Sequence, residues 1–104
     1  MLSREECNKI YAEISSIKSQ IGQVNIQIGQ ISNSISRLRN EVDESKEARR
    51  MWGKNEILNY RISCDISGLH SRIDELYEQK NRLFAEKNEL HQRKEGLYTK
   101  LKSH

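Results

Sequence analysis

Proline is absent from these 104 residues, glycine occurs five times, and aromatic side chains are few: one Trp, four Tyr and one Phe. Without proline and with little glycine, the chain lacks the residues that break helices and build turns, which argues against a turn-rich β architecture. Two cysteines, Cys7 and Cys64, are too few for a disulfide framework. Folding back near the midpoint would place Cys7 opposite the region of Tyr98 and Cys64 opposite Glu41, so both are expected as free thiols in a reducing cytosol. No apolar run approaches the roughly 18 residues of a membrane span. The opening residues, Met1 to Lys9, have no apolar core of a secretory signal. One sign of charge does not dominate either. Eighteen basic residues stand against 15 acidic ones, a net +3 that is spread along the chain and does not by itself point to nucleic acid or an anionic membrane.

What the sequence does have is a heptad seam. Apolar residues fall at Cys7, Ile10, Ile14, Ile17, Ile21, Val24, Ile28, Ile31, Ile35, Leu38 and Val42, with gaps alternating three and four. That spacing is the core stripe of a left-handed coiled coil. From Ser19 to Ser36 every residue off the seam is Gln, Asn, Ser or Gly, apart from Ile26. An exposed helix normally carries charge on its outer face, so this stretch reads as a helix covered on more than one side. Gly22 and Gly29 share a heptad position with Ser15 and Ser36, forming a stripe of small side chains. In mid-helix the two glycines cost about 2 kcal/mol relative to alanine. Either the stripe is drift in a low-complexity repeat, or a second helix backbone approaches along it.

The start of the first helix is marked by Ser3 as a cap for the Glu6 amide, with Leu2 stapled onto Cys7. Its seam fades after Val42. Met51-Trp52-Gly53-Lys54-Asn55 then lies almost at the midpoint, where Gly53 is expected to end a helix in the left-handed conformation and Asn55 to cap the next. A continuous helix through Gly53 is the competing arrangement. In the second half Ile62, Leu69, Leu76, Leu83, Leu90 and Leu97 hold one core position, while the other passes from Ile66 and Ile73 to Lys80, Lys87 and Lys94. Beside the leucines run His70, Tyr77, Phe84, His91 and Tyr98, so the apolar face turns towards Leu-aromatic pairs. The lysine stems flank it with their ammonium groups in water. The fold class is therefore all-α, an antiparallel two-helix hairpin forming one domain over 1–104. Helix 1 runs over about 4–49, a turn over about 50–55 and helix 2 over about 56–101, with each arm about 70 Å long. Isoleucine at both core positions points beyond a simple two-stranded coil, towards further helices.

Chemistry is sparse. No phosphate loop, zinc spacing or nucleophile-base arrangement is present, so no catalytic, cofactor-binding or metal residues are assigned and an enzyme is not expected. His70 and Asp74 share a helix face, but two ligands do not make a metal site, and a surface pair accounts for them. Arg37, Arg39, Arg49, Arg50 and Lys54 gather towards the bend, interspersed with Glu41, Asp43, Glu44 and Glu47. That mixture reads as a solvated tip rather than a nucleic-acid patch.

Trp52 and Gly53 at the midpoint of two capped amphipathic helices resemble the WXG-type family, helical hairpins of about a hundred residues associated with bacterial type VII secretion. Within that group the chain is most similar to the small accessory proteins paired with LXG-domain toxins. The resemblance implies that it binds the helical N-terminal domain of a toxin and helps present it to the secretion machine. The chain departs from the pattern in two places. Gly53 follows Trp52 directly, with Lys54 where the family has Gly. The export signal, Tyr or Phe with an acid four residues on, is not met: Tyr77 leads to Asn81, Phe84 to Asn88 and Tyr98 to Lys102. Only His70 to Asp74 echoes the spacing. Another subunit would then supply the signal, with this chain as targeting partner or chaperone.

The expected role is a helical adaptor in the cytoplasm, or leaving it with its cargo. It would contact a helical protein partner, with a second small helical protein as a further candidate beside it, through Ile14, Ile17, Ile21, Val24, Ile28, Ile31 and Ile35, the Gly22 and Gly29 stripe, and Tyr77 and Phe84, with Trp52 packed at the bend. The alternative is a self-associating coiled-coil scaffold with no export role. Neither membrane insertion nor nucleic acid is expected.

Overall fold

The computed structural model describes residues 2–103 and is all-α: α1 (Arg4–Met51) and α2 (Glu56–Lys102), joined by a short turn into an antiparallel hairpin. Both helices begin as the sequence specifies. The Glu6 amide donates to Ser3 Oγ at 3.1 Å and the Cys7 amide to the Ser3 carbonyl at 3.0 Å. At the start of α2 the Leu58 amide donates to Asn55 Oδ1 at 3.1 Å and the Asn59 amide to the Asn55 carbonyl at 2.9 Å. Each cap satisfies amides that would otherwise lack a helical acceptor.

The turn departs from expectation in its backbone. No residue among those described has a positive φ, so Gly53 does not end α1 in the left-handed conformation. The chain leaves α1 instead through the Trp52 amide, bonded to the Ala48 carbonyl at 2.9 Å, and returns through the Asn55 amide, bonded to the Trp52 carbonyl at 3.0 Å. Glycine is useful at position 53 for a different reason. A Cβ there would lie 3.2 Å from the Arg49 carbonyl oxygen, closer than side-chain carbons usually come to such an atom.

The chain divides into two compact units, Met1–Gly29 with Arg82–His104, and Gln30–Asn81. In the first, Ile17, Ile21 and Val24 of α1 are buried with Leu90 of α2, and Ile28, Leu83 and Leu97 pack against them. In the second, Ile35 and Val42 are buried with Ile66 and Ile73, flanked by Leu38, Ile62, Leu69, Leu76 and Tyr77 among others. No polar or charged residue is fully buried among the described residues. Lys80, Lys87 and Lys94 are half-buried at their core positions, as amphipathic stems on a narrow two-helix seam should be.

Among the described residues one sealed polar atom interrupts this interior. Asn59 occupies the core position one heptad before Ile66, and its Oδ1 is buried without a hydrogen-bond partner.

Candidate interaction surfaces

The alternation of three and four that places Ile14, Ile17, Ile21, Val24 and Ile35 on one stripe also turns that stripe onto α2, and all five are buried there; Ile17 is 2% exposed. Ile28 and Ile31 are half-buried beside them. The ridge is thus the hairpin's own core, and in this conformation its side chains are covered by α2 rather than offered to a foreign helix. The sequence showed how strongly the ridge had to be covered. The expected hairpin implied that α2 would meet this seam, but not that α2 alone leaves Ile14, Ile17, Ile21, Val24 and Ile35 buried.

The opposite side of α1 in the first unit is open. A Cβ built on Gly22 or Gly29 meets nothing within 4 Å, so no other helix of this chain approaches the small-residue stripe. Ser15, Ser19, Gln23 and Asn25 are exposed, and Ile26 stands among them with 63% of its surface accessible. This face therefore lacks charge while remaining solvated, an unusual combination for an exposed helix.

Along one flank of the seam, cations of α1 meet aromatic rings of α2. Lys18 Nζ lies 5.9 Å from the centroid of the Tyr98 ring. The Arg39 guanidinium lies 5.4 Å from that of Tyr77 and donates to the Tyr77 hydroxyl. Both pairs occupy equivalent heptad positions. Tyr98 thus faces Lys18, not the Cys7 region that counting back from the bend suggests. Long side chains lean towards the N-terminus of their own helix. That lean carries α1 side chains away from the bend and α2 side chains towards it, so the α1 partner lies nearer the bend than its number implies. Tyr77 is consequently a half-buried member of the second core, while Phe84, on the same stripe, remains 42% exposed.

Trp52 is only partly covered at the bend: it is 56% exposed and belongs to neither apolar core. Met51, Ile57 and Tyr60 are exposed close to it in sequence, a grouping that the fading of the heptad after Val42 could have signalled. Cys7 and Cys64 are free. His70 and Asp74 line a shallow depression with Arg39 and Lys46, and no group of three or more metal-ligating side chains occurs among the described residues. No described helix is long and apolar enough to cross a membrane. Comparison with protein-family models, curated proteins and solved structures finds no match to this chain, so its function has to be argued from these surfaces.

Proposed function

We propose that this chain is a non-enzymatic helical adaptor that lays the outer face of α1 against a long helix of another protein. The observation that carries this reading is the exposed, uncharged surface around Gly22, Ile26 and Gly29. Glycine at these positions weakens the helix by about 1 kcal/mol each, and no described atom lies within 4 Å of where a Cβ would stand to require it. A helix backbone arriving from outside would pack closely over such positions, while Gln23 and Asn25 would supply hydrogen bonds without the desolvation cost of charge. The isoleucine ridge contributes indirectly, by closing the hairpin and holding this face straight.

The partner class that best fits, by resemblance to WXG-type hairpins, is the helical N-terminal domain of an LXG-type toxin bound for type VII secretion, with this chain as its chaperone. Co-expression of the two, followed by size-exclusion chromatography, tests the proposal. The expected result is a stable complex that Gly22→Leu/Gly29→Leu and Ile26→Asp each weaken at least tenfold, while the isolated variants keep their helical circular dichroism. Failure to form a complex with any such domain, or unchanged binding by both variants, would remove the adaptor reading. A homo-oligomer disrupted by the same substitutions would establish the scaffold in its place.

A further inference from the structure

We propose that the bend is a docking tip for the anionic surface of a lipid bilayer, independently of any helix bound along α1. Four large apolar side chains are open to solvent within ten residues, where neither core reaches: Met51, Trp52, Ile57, which is 81% exposed, and Tyr60. The segment that carries them is locally basic, with Asp43, Glu44 and Asp65 just outside it. From Lys46 to Arg61 there are five Lys or Arg against two Asp or Glu, and the remaining residues carry thirteen of each. Arg50 engages Glu47 at 2.9 Å in a pair open to water, while Lys54 and Arg61 are exposed.

This combination selects its occupant. A second copy of the tip would bring like charge against like charge. A nucleic-acid backbone would satisfy the cations but leave Met51 and Ile57 in water. A helical groove would call for one continuous apolar stripe, whereas these residues lie on the last turn of α1, the turn itself and the first turns of α2. An anionic bilayer takes all of them together. Trp and Tyr favour the headgroup level, apolar side chains reach the acyl boundary, and Lys and Arg are drawn to the negative surface. Docking is peripheral and needs no membrane-crossing helix.

Trp52 is the only tryptophan, so the unmodified full chain carries its own reporter. With vesicles of phosphatidylglycerol and phosphatidylcholine, Trp52 emission should shift to the blue, bilayer-brominated lipid should quench it, and the protein should co-sediment. Vesicles of phosphatidylcholine alone should give much weaker binding. Arg50→Gln/Lys54→Gln/Arg61→Gln should lower partitioning on the order of a hundredfold, and Met51→Ser/Ile57→Ser at least tenfold, with helical circular dichroism unchanged. Gln92→Ala, an exposed position of α2 outside the tip, should leave partitioning as it is. Absence of sedimentation and quenching with anionic vesicles overturns the proposal, as does vesicle binding indifferent to both tip variants, or binding to duplex DNA or polyglutamate without binding to vesicles. Should a tip variant unfold, brominated-lipid quenching of Trp52 in the unsubstituted chain still decides the matter.

Discussion

Ile17 and Ile26 are the same residue type nine positions apart on one helix, and the fold assigns them opposite roles. Ile17 lies inside the first core, whereas Ile26 stands in solvent. Ile17→Ala should therefore cost about 2–5 kcal/mol through lost burial and the cavity left behind, and Ile26→Ala should stay within about 0.5 kcal/mol. Urea denaturation followed by circular dichroism reads both, and equal losses would mean the two faces of α1 have been exchanged. Asn59 makes a further residue-scale case. Its buried Oδ1 has no partner, and a sealed, unpaired acceptor costs about 1–3 kcal/mol. Asn59→Leu should accordingly raise the urea midpoint. A fall would mean that the amide fixes the register at the bend end of the seam, as buried asparagines do in some coiled coils.

At the scale of the element, much was legible in the sequence because helices advertise themselves locally. Ser3 and Asn55 announce the starts of α1 and α2 through side-chain chemistry that acts within three residues, and each accepts the amide it should. Ser3→Ala and Asn55→Ala should each lower stability by about 1 kcal/mol, measurable as a drop in Tm. What the sequence concealed is long-range. Periodicity identifies Ile14 to Ile35 as a stripe that must be covered, but it is silent on whether the cover comes from α2 or from elsewhere. The pairs Lys18–Tyr98 and Arg39–Tyr77 join residues far apart in the chain, and only the lean of the side chains along two antiparallel helices determines which residues meet. The stripe of small residues was visible, yet whether a helix of the same chain filled it depended on α2's position. No described residue fills it at Gly22 or Gly29, so Gly22→Ala/Gly29→Ala should raise the stability of the isolated hairpin by about 2 kcal/mol, while weakening any complex that needs close backbone approach. A loss of stability in the free protein would show that the space is already in use.

For the whole molecule, the covering of the ridge by α2 changes what association has to do. A lone helix with the isoleucines of α1 would have to oligomerise to hide them, and its folding would then depend on protein concentration. Here Ile17, Ile21 and Val24 are enclosed with Leu90, and Ile35 and Val42 with Ile66 and Ile73, by residues of the same chain. The surfaces left over are a neutral helix face and a basic, apolar bend, and each can engage a partner without dismantling the core. The hairpin should then fold as a monomer, with a Tm that stays constant over a hundredfold range of concentration and a single-chain mass by light scattering. A Tm that climbs with concentration would show that folding and assembly are one event. The neutral face around Gly22, Ile26 and Gly29 would then be the contact between copies, and the scaffold reading would displace the adaptor. A constant Tm leaves that face free for a foreign helix, which is the condition the adaptor reading requires.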